Sequence, residues 1–489
     1  MRYVFLAAAV LATMLLAARA EGPGDAIIAA HADAQRLPLG TRQYVRYLSL
    51  YNLPAAERES AVKVLAFWVN SLSRSAELVA PVRVSETLLR VNLLDYGWEV
   101  KTWDRLADSD VYFHQQVDIF TNEYWPGGNF NGRYFGAGYY REKKRVAASA
   151  SWLPAREAAE LIGWAQSRAP VVRADWWFVQ TVRQLSLRNR QDGIGYYDWI
   201  GVKNRDDFFK LIKLSEKDSL EIGKEMRAAV LRSGVATQNR QIVRLQALTG
   251  GHWTTLDTDD STGNGNAIER LKRGEFVHKA EEHFGVAPNG LFYFLLCDKQ
   301  GALQPSAPDF IGPDDSPLRS GRDGRIHPGL SCIRCHVEGL RPINDWVRQT
   351  LRTPLGLQSA DYKELVELRR QYFSNLEGQL ERDRFVFAEA LAACNGLKPA
   401  ENAKVFARFW DRYAENDRGP AEVAVELGVT EPVLIQALKS YVKATGSLPT
   451  LMAGLLQNPP VGIRPEHWEA LYEQAQEIIR GQIRFGDRK

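Results

Sequence analysis

Ser331-Cys332-Ile333-Arg334-Cys335-His336 is the stretch of this chain whose residue types and spacing carry the most chemistry. Cys-x-x-Cys-His is the attachment pattern of a c-type haem. Two thiols three positions apart can each form a thioether to one porphyrin, and the adjacent imidazole can then ligate the iron. With 4 Cys and 8 His in 489 residues, random ordering would give the pattern about 0.0004 times per chain, so coincidence is a poor account. The competing chemistries are a thioredoxin-like dithiol, which needs a strand-to-helix setting, and half of a zinc site, which needs a second ligand pair. Cys297 and Cys394 are single and far apart, and supply no such pair. The expected cofactor is therefore one covalent haem c, with Cys332 and Cys335 as attachment points and His336 as axial iron ligand.

The start of the chain agrees with that chemistry. Arg2, the apolar run from Val4 to Ala18 and the small residues Ala18-Arg19-Ala20 read as a secretory signal peptide over residues 1–20. No later stretch has the apolar length of a membrane span, so a periplasmic or secreted protein is expected. Loss of Arg2 and Arg19 with the leader lowers the net charge from +3 to +1. Near-neutrality gives no broad field for nucleic acid or anionic lipid. In an oxidising compartment Cys297 and Cys394 fit a disulfide, but their apolar surroundings favour two buried free thiols.

The elements that must position the motif divide at about residue 300. Residues 21–300 read as a mixed helix and strand domain, and residues 301–489 as a mainly α-helical, cytochrome c-like haem region, an α+β class overall. Within the first part Tyr44–Tyr51 has helical spacing, Ala56–Ser73 reads as a helix, Leu88–Asp95 as a strand and Pro154–Ser167 as a helix. Residues 203–232 read as two helices opened by Asn204, with Met226 in the second, while Leu291–Leu296 is a strand leading to a turn at Asp298–Gly301. Asp175, beside Arg173 and two tryptophans, fits a buried charge pair or a cap. Trp125–Gly132 is an aromatic loop able to line a ligand, although packing on itself is the plainer reading. Asp257, Asp259 and Ser261 suggest a calcium loop, but Thr262 and Ile268 stand where Gly and Glu are required, which leaves an Asx-rich turn. Helices are expected near 344–351, 360–375, 376–394, 400–415, 420–427, 431–444 and 465–480.

Arg46-Tyr-Leu-Ser-Leu50, Asn70-Ser-Leu72, Leu89-Arg-Val-Asn-Leu-Leu-Asp-Tyr-Gly-Trp98, Arg173-Ala-Asp-Trp176, Gly234-Val-Ala-Thr-Gln-Asn-Arg240, His252-Trp253, Pro288-Asn-Gly-Leu291 and Gly329-Leu-Ser-Cys-Ile-Arg-Cys-His336 run through the whole mature chain. In these it resembles a family of exported bacterial proteins with a single c-type cytochrome motif, mostly of unknown function. The resemblance implies haem attachment at Cys332 and Cys335 and ligation by His336, and assigns the other segments no chemistry.

What the haem would do depends on its sixth ligand. Met452, 116 residues after His336, is far from the place a small class I cytochrome would use. His327 and His467 are alternatives, as is an open position. His252, His278, His283 and Met226 read more simply as structural residues. The leading expectation is one-electron transfer with a redox partner protein or a small-molecule donor or acceptor. The alternatives are a peroxidase- or oxidase-like enzyme whose N-terminal domain binds substrate, and a haem-dependent sensor or interaction module. No Ser-His-Asp series, phosphate loop or interpretable carboxylate pair supports a hydrolase or kinase.

Overall fold

Two antiparallel-rich sheets and a layer of C-terminal helices share one hydrophobic core running from Ala26 to Ile479. The computed structural model describes residues 22–107, 112, 155–181, 195–214, 226–230, 240–258, 276–308, 311, 325–352, 368, 370, 372 and 375–486. The expected leader and the aromatic loop at 125–132 lie outside the described residues, as do most of the Asx-rich turn and of the expected helix at 360–375.

The first sheet has the order β2-β3-β1-β4, built from β1 (Val45–Ser49), β2 (Val82–Ser85), β3 (Leu88–Asn92) and β4 (Val171–Arg173). β1 is antiparallel to β3 and parallel to β4. The helix expected at Tyr44–Tyr51 is thus a strand. All five residues of β1 are buried, so the alternation that marks a one-faced strand is absent. Val45 and Tyr47 supply the β preference.

Helix α1 (Pro23–Arg36) packs on this sheet, and α2 (Ala55–Ser71) starts after Pro54, as expected. Residues 64–71 of α2 are all buried, because the helix is enclosed on several sides. The expected helix at 154–167 is α3 (Ala155–Ala165), followed after β4 by α4 (Ala174–Gln180), α5 (Tyr196–Ile200) and α6 (Arg205–Leu211). Asn204 caps α6, its side chain accepting from the Asp207 N–H at 2.9 Å.

The second sheet is an antiparallel meander of β5 (Met226–Val230), β6 (Arg240–Gln246), β7 (Gly251–Asp257), β8 (Ala280–Val286) and β9 (Phe292–Asp298). Met226 is therefore in a strand, not in the helix its neighbours suggest. Met-Arg-Ala-Ala has good helix propensity, but pairing with β6 along its whole length overrides it.

Next come the motif helix α7 (Leu330–His336) and α8 (Trp346–Leu351), then α9 (Leu376–Asn395), α10 (Pro399–Ala414), α11 (Pro420–Glu426), α12 (Glu431–Thr445) and α13 (Pro465–Gly486). Proline opens α10 and α11, and left-handed glycines Gly396 and Gly446 close α9 and α12. α9 and α10 pack on α2, where Phe67 lies edge-on to Phe387 and Phe406 at 6.5 and 6.1 Å between centroids. Among the described residues no helix is long and apolar enough to cross a membrane.

A buried ion network fastens the first sheet to these helices. Asp175 receives Arg173 Nη2 at 2.8 Å and Asn52 Nδ2 at 2.7 Å. Glu426 receives Arg173 Nη1 at 2.5 Å, Arg418 Nε at 2.9 Å and Trp468 Nε1 at 2.5 Å. The expected Asp175 pair thus extends to a second acid and a second base.

Candidate functional site

The motif forms a single helical piece with a specific entry. Gly329, with φ of +78°, turns the chain into α7, and a Cβ there would lie 2.5 Å from ring carbons of Tyr196. Only glycine permits this turn and this approach together. The helix opens with a bond from the Ile333 N–H to the Gly329 carbonyl at 2.7 Å. His327 and Ser331 brace the entry: the His327 N–H donates to Ser331 Oγ at 2.8 Å and the Ser331 N–H to the His327 carbonyl at 3.1 Å.

Because Cys332 and Cys335 are three positions apart on α7, both sulfurs lie on one side of the helix. Cys332 is buried and Cys335 half-buried. Cys332 lies close enough to Tyr196 and Tyr197 to influence both phenols. These tyrosines also hold the outer strand of the sheet: Tyr196 Oη accepts from the Phe294 N–H at 3.0 Å and Tyr197 Oη from the Leu296 N–H at 2.9 Å. The two hydroxyls cap N–H groups that the edge strand β9 would otherwise leave unpaired.

His336 ends α7 with its ring against Phe284 and Phe294, at centroid distances of 5.0 and 5.8 Å. Its Nδ1 is 3.3 Å from the Gly339 carbonyl. A carbonyl only accepts, so Nδ1 carries the hydrogen and Nε2 the lone pair. Burial lowers the imidazole to about 4, which keeps it neutral at pH 7. Two residues earlier on α7 the Arg334 guanidinium lies over Trp410 of α10 at 5.5 Å. The donor set fits a c-type haem: two thiols on one side of a helix and a neutral imidazole with a fixed tautomer.

The proposed sixth ligands are scattered. Met452 is buried in the short helix Thr450–Ala453, against the turn Gly454–Leu456. His467 is exposed on α13, and His327 is half-buried beside the entry to α7. Cys394 is a free buried thiol donating to the Ala66 carbonyl at 3.1 Å, and Cys297 is also free and buried, so the two form no bridge.

His252, His278 and His283 are brought together elsewhere, around Glu281 and Cys297. His283 Nε2 is 2.9 Å from Glu281 Oε2, and His283 Nδ1 is 2.9 Å from Thr254 Oγ1 and 3.2 Å from His252 Nε2. Burial lowers His252 and His283 alike and raises the Cys297 thiol. Taken one at a time in the sequence, these residues read as structural. The signal that groups them is Glu281-x-His283: two residues apart in a strand, both must share a face.

Comparison with protein-family models, curated proteins and solved structures finds no match for this chain.

Proposed function

We propose that the chain is an exported c-type cytochrome carrying one covalent haem, held by Cys332 and Cys335 and ligated by His336, and that it passes single electrons between a redox partner protein or small-molecule donor and an acceptor. The observation that carries this reading is the arrangement on α7, where two thiols share a helix side next to an imidazole whose Nε2 lone pair is left for a metal. The Cys-x-x-Cys-His spacing supports the same reading, as does the signal-peptide pattern of residues 1–20.

When bound, the haem supplies reversible one-electron iron chemistry. The chain's own residues set its surroundings. The Gly339 carbonyl fixes the His336 ring and adds electron density to its donor nitrogen. Phe284 and Phe294 keep water from one flank of that ring. Gly329 and Tyr196 set where α7 begins, and so which way Cys332 points.

The test is expression with export and haem maturation, followed by denaturation and acid–acetone stripping. Wild type should retain about one haem per chain, and Cys332→Ala with Cys335→Ala should retain none. A wild-type protein stripped of all haem overturns the proposal. The spectrum of the loaded protein then divides carrier from catalyst: a carrier closed by a second protein ligand does not bind carbon monoxide when reduced, whereas an open position does.

A further inference from the structure

We propose that Glu281, His283 and Cys297 form a second metal centre, which takes one divalent ion of the zinc class on the face of the second sheet opposite His336. The placement follows from strand register. Glu281 and His283 alternate on β8, and Cys297 of β9 is paired directly across from Glu281. Thr254 of β7 is paired with His283, so it shares their face. Phe284 and Phe294, which touch His336 and are paired with each other across β8 and β9, stand at positions of the opposite parity and point to the other face.

The three donor atoms converge within a space suited to one ion. Cys297 Sγ is 3.4 Å from His283 Nε2 and 3.5 Å from Glu281 Oε2, and the last two atoms are 2.9 Å apart. A tetrahedral zinc ion with bonds of about 2.0–2.1 Å to N or O and about 2.3 Å to S separates its ligand atoms by roughly 3.3–3.6 Å. Two of the three edges already have this length. The third must open by a few tenths of an ångström as a hydrogen bond is exchanged for two metal bonds.

The donors are supported as metal ligands usually are. Thr254 Oγ1 at His283 Nδ1 can accept the hydrogen there, which would leave Nε2 as the donor facing Cys297 and Glu281. Arg205 Nη1 holds Glu281 Oε2 at 2.7 Å, and His278 Nε2 holds Oε1 at 2.9 Å. Phe208 and Phe209 of α6 stand against the His252 and His283 rings and cover the cluster. His278 is the most exposed of the group, at 28% of its side chain, and marks the solvent side by which an ion enters. A thiolate, an imidazole and a carboxylate together select zinc over calcium or magnesium, which take oxygen ligands. Coordination replaces the Cys297 S–H bond by a sulfur–metal bond and releases that proton to solvent.

The experiment loads the full-length, haem-matured protein with zinc chloride, removes weakly held metal on a chelating resin, and measures bound zinc by elemental analysis and zinc-edge X-ray absorption. Neither readout involves the haem iron, so the result is separate from that of the cytochrome proposal. The expected result is one zinc per chain with a single sulfur at about 2.3 Å and the remaining shell at about 2.0 Å. Cys297→Ser and His283→Gln should each weaken zinc retention tenfold or more, and zinc should raise the melting temperature of wild type but not of Cys297→Ser. Cys394→Ala should bind as wild type does. Wild-type protein that retains no zinc overturns the proposal, as does undiminished binding by Cys297→Ser. A two-sulfur shell would also overturn it, because Cys297 is the one sulfur donor of this cluster.

Discussion

Replacing Glu426 by glutamine removes one of two carboxylates from a site holding two guanidiniums. Arg173 and Glu426 expose only 1% and 5% of their side chains, and Arg418 4%. With the charge gone, Arg173 and Arg418 face Asp175 alone, in a place where water cannot replace the missing anion. Breaking a buried pair of this kind costs about 3–5 kcal/mol. Glutamine still offers one acceptor oxygen to a guanidinium, which puts the expected loss near ~3 kcal/mol. The exposed pair Arg83–Glu59, at 45% and 64% side-chain exposure, is the internal control, since Glu59→Gln should cost below about 1 kcal/mol. Urea unfolding followed by tryptophan fluorescence and far-UV circular dichroism measures both. Since Arg173 belongs to the first sheet, Glu426 and Trp468 to the C-terminal helices and Arg418 to the bridge with Ile463 that precedes α11, the two probes should move together. A loss under about 1 kcal/mol for Glu426→Gln would refute the reasoning. The same network predicts the response to acid. Burial pushes the Asp175 carboxyl up, but Arg173 and its hydrogen bonds win and hold it below the usual carboxylate range. Its stabilisation is therefore complete above the unfolded value of about 3.9 and is lost as pH falls through the lower folded value. Asp175→Asn should be less stable at pH 7 and show a flatter decline below pH ~4.

Three further changes probe how the motif is held. Gly329→Ala combines a left-handed φ with a Cβ driven into the Tyr196 ring; it should cost about 1–3 kcal/mol or more and reduce haem incorporation per chain, and normal stability with full haem would show that α7 can start elsewhere. Tyr196→Phe leaves the buried Phe294 N–H without its acceptor, for an expected loss of about 1–3 kcal/mol in the same urea titration. Asp383→Ala takes the carboxylate from Arg244 Nε at 3.0 Å and from Trp253 Nε1 at 2.9 Å. The expected cost is about 3–5 kcal/mol, together with a shift in Trp253 emission; unchanged fluorescence would argue against that contact.

How far the sequence could be read depended on whether a feature was encoded locally or by pairing. Pro399, Pro420, Gly396 and Gly446 mark helix ends through their own backbone chemistry, so α9 to α12 are legible to within a residue or two, whereas α13, with no such stop signal, runs to Gly486 past the expected end at 480. Val45–Ser49 reads as helical in the sequence because β3 and β4 take both its edges while α1 and α4 pack against it, so that all five residues are buried and the period of two is erased. Met226–Val230 was misread because its residues favour a helix and only β6 makes them a strand. The same division separates the two sites. Cys332, Cys335 and His336 occupy one helical turn, and five consecutive positions reveal them. Cys297 meets His283 only because the turn at Ala287–Leu291 fixes β9 against β8 in the register that sets Glu281 opposite Cys297. That register also decides which side chains reach His336. A slip of one residue in β8 would turn Glu281 and His283 toward α7 and carry Phe284 away from it. One hairpin thus assigns the aromatic wall to one face of the sheet and the metal-ligating residues to the other, and a change in it should disturb both sites together.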